Sequence, residues 1–230
     1  PSTRLFMPVV LAFDTAGSAC SVAVGRDGTV LGYERREMRH GHAEALLPMI
    51  GRVMTVAGLA ATEIDFVAVS TGPGGFTGIR AGLAGAQGLA LATGAQLVGV
   101  NSFAAVAALV PKADAPLLVA LDSRRADPYV QLFSPNGEAE GEPAAVPLER
   151  LRDFVGLAID ASLRVAGDAA EAAAMALSGS VSIIEMLPET APDARGVLVA
   201  AFHRLPAAVE SSARPLYLRA PDVSLPKARP

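Results

Sequence analysis

The chain has 230 residues, enough for one large domain or two small ones. Hydrophobic residues make up 51% and charged residues 18%, with no Trp, so the core draws on Ala, Val and Leu and the chain is globular rather than disordered. A net charge of −4 excludes a global basic field for nucleic acid, and no apolar run reaches membrane-spanning length without a Gly or polar interruption.

In chain order, Pro1 to Pro8 is not signal-like. Val9 to Phe13 reads as a buried strand ending at Asp14-Thr15. Ala16-Gly17-Ser18 turns the chain into a second strand, Ala19 to Gly25, and the hairpin signal Asp27-Gly28 precedes a third, Thr29 to Arg36. Asp14 thus ends the first strand of a β-meander. A carboxylate there can hold a phosphate-bound Mg at the mouth of a cleft, or it can simply cap the turn. The single cysteine, Cys20, excludes an internal disulfide, fits a reducing cytoplasm and reads as a small buried hydrophobe. The densest basic cluster is Arg35, Arg36 and Arg39.

His42 to Leu59 carries helical periodicity, with Gly58 as its C-cap. Its apolar positions, Leu46, Leu47, Met49, Ile50, Val53, Met54 and Val56, exceed the roughly 100° face that a helix on a sheet needs. The surplus implies a second apolar neighbour. Pro48 should kink the helix or lie in its first turn. Phe66 to Val69 is a buried strand that feeds Ser70-Thr71-Gly72-Pro73-Gly74-Gly75-Phe76-Thr77-Gly78-Ile79-Arg80 and then an apolar helix ending near Thr93. The glycines therefore sit on a strand-to-helix turn, where backbone N–H groups and the helix N-terminus can receive an anion. No Lys-Ser/Thr pair closes it, so it is not a Walker A loop. The alternative is that Gly72, Gly74 and Gly75 only make a tight turn. Gly78, Gly82 and Gly85 share one helix face, each at a cost of about 1 kcal/mol relative to Ala, which the close approach of another backbone would offset. Arg80 and Gln87 share a stripe. Two adjacent over-apolar helices form either a docking surface or a contact buried against a second domain.

Gln96 to Val100 is a strand, and Asn101-Ser102 caps a short helix through Val110. Pro111 to Pro116 is a linker and the expected domain boundary, dividing 1–110 from 111–230. Leu117 to Leu121 opens a second meander that again ends in an acid, Asp122, and Tyr129 to Phe133 returns. The echo of Phe13-Asp14-Thr15 in Leu121-Asp122-Ser123 suggests an internal duplication. Beyond it, Leu148 to Val155, Ala169 to Leu177 and Val197 to Arg204 read as helices, and Leu163 to Ala166 and Val181 to Ile184 as strands. Gly167-Asp168 fits the remnant of a second phosphate loop. Pro215-Leu216-Tyr217-Leu218-Arg219 is a compact apolar tail, and the residues through Pro230 are expected to be mobile.

His40-Gly41-His42 is an i, i+2 pair, whereas one helix face needs i, i+4. No metal site is expected, and no Gly-x-Ser-x-Gly elbow supports a hydrolase.

Ala12-Phe13-Asp14-Thr15-Ala16 with Ala19-Cys20-Ser21-Val22-Ala23 resembles the opening of the bacterial TsaB (YeaZ) family. The run Gly72 to Arg80 with Gln87-Gly88-Leu89-Ala90 is its most specific point of likeness. His42-Ala43-Glu44 before Leu46-Leu47-Pro48, then Asp122-Ser123-Arg124 and Pro215 to Arg219, are further similarities. The resemblance implies an actin-like (ASKHA, ribonuclease H-like) α/β fold of two small lobes, each with a mixed sheet. It implies a non-catalytic partner subunit in making N6-threonylcarbamoyladenosine at position 37 of tRNAs that read ANN codons. The partners implied are the catalytic relative TsaD and the ATPase TsaE, with a homodimer when TsaD is absent. tRNA is met only indirectly, in the cytoplasm and away from membranes. The interface would comprise His42, Leu46, Leu47, Met49, Ile50, Val53, Gly78, Gly82, Gly85 and Gln87. TsaD carries a His-x-x-x-His metal pair where this chain reads His40-Gly41-His42-Ala43-Glu44, so no catalytic residue is assigned. Asp14, Thr15, Gly72, Gly74, Gly75 and Asp122 look like an eroded phosphate site. No intrinsic cofactor follows, and ATP or ADP with Mg at the partner interface stays open. The alternative is an autonomous actin-fold ATPase or small-molecule kinase.

Overall fold

The computed structural model describes residues 7–158, 161–187, 190–205 and 213–219. The expected mobility up to Pro230 concerns a stretch that lies outside the described residues. β1 (Val9–Asp14), β2 (Ala19–Arg26) and β3 (Thr29–Glu37) form the antiparallel meander. β4 (Phe66–Ser70) pairs parallel with the free side of β1, and β5 (Gln96–Val100) pairs parallel with β4. The sheet order is β3-β2-β1-β4-β5. β1 is apolar at every position but its last because both its faces are covered. Leu11 and Phe13 face one apolar layer, and Val10 and Ala12 face the other. α1 (His42–Ala57) and α2 (Phe76–Thr93) supply the first layer. Gly58 ends α1 in the left-handed region, as expected, while Pro48 sits beyond the first turn, inside the helix.

The second sheet repeats the plan. β6 (Leu117–Leu121), β7 (Tyr129–Phe133) and β8 (Ala139–Ala145) are antiparallel, and β9 (Ser162–Ala166) and β10 (Ser182–Leu187) run parallel to β6. Read from β8, the order β8-β7-β6-β9-β10 is that of the first sheet. The duplication suggested by two Asp-terminated strands is therefore a duplication of topology. β8 escaped the sequence reading because Ala139–Ala145 contains Glu, Gly and Pro143, which an edge strand tolerates. Its helices are short: α4 (Leu151–Val155), preceded by a 3₁₀ turn at Leu148–Arg150, and α5 (Ala170–Leu177).

The expected division at residue 110 does not separate the two lobes. α3 (Ser102–Ala107), capped by Asn101 Oδ1 accepting the Ala104 N–H at 2.7 Å, places Phe103 and Val106 in the apolar cluster of the second sheet. α6 (Ala194–Arg204) returns to cover the first sheet, with Ala194, Val197, Leu198 and Ala201 against Val10 and Ala12. Gly196 permits this exchange, because a Cβ there would lie 2.0 Å from the Ala105 carbonyl oxygen. A polar linker marks where a chain leaves a sheet; it does not say which sheet the flanking helices cover.

Candidate functional site

The glycine turn is closed down onto the β1–β2 turn. Gly72 has φ +93 and precedes Pro73 through a cis peptide, and the Ile79 side chain and the Leu216 carbonyl crowd its Cβ position. A Cβ on Gly74 would stand 2.4 Å from the Ala16 carbonyl oxygen. On Gly78 it would stand 2.0 Å from the Thr15 carbonyl oxygen, and on Gly82 2.4 Å from Thr15 Oγ1. The Gly75 N–H donates to the Ala16 carbonyl at 2.7 Å, and the Thr15 hydroxyl donates to the Gly78 carbonyl at 2.8 Å. These glycines let the start of α2 ride on the β1–β2 turn. Two groups of the expected phosphate site, the Thr15 hydroxyl and the Gly75 N–H, are consumed by that packing.

Asp14 is fully buried, and its Oδ1 has no hydrogen-bond partner. Its Oδ2 faces the Gly17 N–H at 3.4 Å. Burial pushes its pKa up to about 6, against the lowering effect of neighbouring hydrogen bonds. Asp122, its counterpart in the second half, is exposed. The Asp122 N–H donates to Asp168 Oδ1 at 2.8 Å, and its own Oδ1 accepts the Arg124 N–H at 2.7 Å, holding Arg124 at φ +60.

The structure brings Gly74, Gly75 and Asp122 together on one cleft, with Arg124 and Asp168, but its volume is about 80 Å³. Small-molecule sites span roughly 300–1,000 Å³. Asp14 and Gly72 do not line it. Beside it lies a wider recess of about 410 Å³, lined by Thr15, Gly75, Thr77 and Gly78 and by Arg39, His40, His42, Glu44 and Arg124. His42 therefore sits near the glycine turn. Burial holds its pKa below the ordinary histidine value, and its Nε2 has no hydrogen-bond partner. Cys20 is buried and free, with its thiol pushed up to about 11 by burial.

The expected docking residues divide in two. Leu46, Met49, Ile50 and Val53 pack inside the first lobe with Leu11 and Phe13, and Gly78 and Gly82 are buried under the β1–β2 turn. Gly85 faces Leu46, whose side chain lies 3.0 Å from its Cβ position. These residues do not form an outer surface, which corrects the expectation for them. The surplus apolar face counted along α1 was largely its contact with the sheet and with α2. Outward-facing residues include Leu47 (57% exposed), Gly51 and Val56 (77% exposed) on α1, and Ala84, Gln87, Gly88 and Leu91 (88% exposed) on α2. Neither Gly51 nor Gly88 has an atom within 4 Å of its Cβ position.

The C-terminal strap was legible only as an apolar tail. The Leu216 N–H donates to the Thr71 carbonyl at 2.8 Å, on the first lobe. Tyr217 stacks on Phe76 at 5.2 Å and accepts from Arg80 Nε at 3.2 Å, while the Arg80 guanidinium lies 3.8 Å above the Phe76 ring. Arg219 ion-pairs with Asp127 on the second lobe. Arg80 and Tyr217 are 137 residues apart, so no local signal could join them.

Residues 36–187 match the family model described as TsaD, tRNA N6-adenosine threonylcarbamoyltransferase. Over 122 residues the chain is 38% identical to the tRNA threonylcarbamoyladenosine biosynthesis protein TsaB of Escherichia coli, covering 52% of each. It is 36% identical over 129 residues to an uncharacterized protein of Mycobacterium tuberculosis, covering 55% of this chain and 60% of that one. The chain thus spans little more than half the length of these curated relatives. A crystal structure from Pseudomonas aeruginosa, described as similar to the peptidase YeaZ, superposes with a TM-score of 0.78 at 26% identity, covering 93% of this chain and all of that one. A ROK hexokinase from Thermus thermophilus, at TM-score 0.51 and 16% identity over 84% of this chain and 97% of that one, shares the actin-like fold alone.

Proposed function

The chain belongs to the TsaB/YeaZ family, and from that premise we propose that it is a non-catalytic partner subunit in the threonylcarbamoylation of tRNA adenosine. In this reading it dimerises with a catalytic TsaD, recruits TsaE, and pairs with itself when TsaD is absent. It meets tRNA only through that assembly. The observation that carries the reading is the outer face of α1 and α2. Leu47 and Leu91 are large apolar side chains held in water, and Gly51, Ala84 and Gly88 keep the surface between and beside them flat enough for another helix pair. His42 and Gln87 remain candidate polar contacts at its edge.

ATP or ADP phosphates at the partner interface would be received by the recess of Arg39, Arg124 and the α2 N-terminus. Asp14 does not fit a Mg ligand there, because it is sealed from both the cleft and the recess. Size-exclusion light scattering of the chain alone and mixed with its cognate TsaD tests the proposal. A homodimer that exchanges into a heterodimer is expected, and Leu47→Glu or Gly88→Arg should leave a folded monomer. A monomer indifferent to TsaD would sink the reading.

The second reading, an autonomous actin-fold ATPase or kinase, draws on the position of Asp14 at the end of β1. Its burial and the 80 Å³ cleft weigh against it. Release of phosphate from Mg-ATP by the isolated chain, lost in Asp14→Asn, would reinstate it.

A further inference from the structure

On the side of the first sheet away from α1 and α2, the ends of α3 and α6 and the β7–β8 hairpin line a half-open cavity of about 470 Å³. It is larger than either recess at the glycine turn, and it lies within the size range of small-molecule sites. Its walls come from both lobes. Ala104 and Ala107 of α3 line it together with Leu117 and Phe133 of the second sheet, which gives it an apolar floor.

The rim is cationic on balance. Lys112, Arg164 and Arg204 line the cavity, with Glu138 as the one carboxylate among its lining residues. Arg164 is 4% exposed, and its charge is met from outside the cavity by Glu185, at 2.6 Å from Nε. A buried arginine needs such a partner. Arg204 is anchored by a 3.0 Å hydrogen bond to the Gly99 carbonyl, which orients its guanidinium without neutralising it. Lys112 has no carboxylate partner among the described residues. With Arg164 met by Glu185 and Glu138 set against Lys112 and Arg204, the rim keeps a net positive charge above an apolar floor, a local reversal of sign in a chain of net charge −4.

We infer that this inter-lobe cavity binds a small amphiphilic anion, an apolar body carrying one carboxylate. Asn101, Ser134, Asn136 and His203 add polar groups to the lining, but the side chains of Ala104, Ala107, Leu117 and Phe133 offer an apolar body a surface that a bare inorganic ion does not use, and the net positive rim discriminates against a neutral apolar molecule. Because α3, α6 and the second sheet all contribute, an occupant contacts both lobes and stabilises their arrangement by mass action. The inference is independent of the partner-subunit reading, since the cavity is on the other side of the first sheet from the docking face.

Isothermal titration of the full chain with octanoate, and with octanol as the neutral control, tests it. Octanoate should bind and raise the thermal midpoint, with octanol at least tenfold weaker. Lys112→Glu, at an exposed position, should weaken octanoate at least tenfold, and Ala107→Trp should abolish binding by filling the floor. Leu47→Glu, on the far face, should leave it unchanged. Equal affinity for octanoate and octanol, octanoate binding untouched by Lys112→Glu and Arg204→Glu, or no binding at millimolar octanoate would each overturn the inference.

Discussion

The two halves share a strand order and differ in what they do with it. Each ends its first strand in an acid, Asp14 or Asp122, and each has a glycine pressed against backbone where its fourth strand meets the next helix. A Cβ on Gly78 would reach the Thr15 carbonyl oxygen at 2.0 Å, and a Cβ on Gly167 would reach that of Ala120 at the same distance. The halves diverge at the surface. In the first, Asp14 is sealed and α1 and α2 run 16 and 18 residues; in the second, Asp122 is exposed and α4 and α5 run 5 and 8. Helices of a single turn or two cover their own sheet and end. Helices of four or five turns cover a sheet, pack on each other, and still present an outer face. The difference shows that one topology can become either a compact support or a lobe with a broad outer helical face, according to helix length.

The largest expected effect bears on what the halves have in common. Gly78→Ala gains roughly 1 kcal/mol of helix propensity but drives a Cβ into backbone that cannot yield, and should cost more than about 3 kcal/mol net. Gly167→Ala adds a left-handed φ of +111 to the same clash and should cost as much. Urea unfolding reads both, and a loss under about 1 kcal/mol at Gly167 alone would mean that the second junction is loose where the first is tight.

Next comes the contrast between the acids. Asp14 has a folded pKa near 6, above its unfolded value, so the folded chain holds a proton that the unfolded chain has released. Stability from this group therefore falls as pH rises from about 4 to about 6 and stays low above that. Asp14→Asn should remove that fall and raise stability at pH 7 by up to about 3 kcal/mol. Asp122→Asn, exposed and still able to accept the Arg124 N–H, should change stability by less than about 0.5 kcal/mol. An Asp14→Asn profile parallel to the parent's between pH 4 and 6 would show that the carboxyl is not desolvated as described.

Smaller effects sharpen the surface difference. Tyr217→Ala removes the ring stacked on Phe76 and the acceptor of Arg80, and should lower stability by about 1 kcal/mol in thermal unfolding. Gly51→Ala, with open space at its Cβ position, should raise stability by up to about 1 kcal/mol. A destabilisation there would place an unseen neighbour on the outer face of α1.

Much of this was readable in the sequence because it rests on local physics. Continuous apolar runs located β1, β4 and β6, Gly58 marked the end of α1, and the Phe13-Asp14 and Leu121-Asp122 echo announced the repeat. The glycine run and its flanks carried the family. The tertiary structure alone decided where each apolar surface was spent. Leu46 and Leu47 are neighbours of equal hydrophobicity, yet one is core and the other faces water, because helix phase relative to a sheet is set by contacts far away in the chain. For the same reason α6 could cover the first sheet, Arg80 could meet Tyr217, and Thr15 could take the glycine turn for packing. A sequence counts how much apolar surface a segment must hide; only the assembled sheets determine against what.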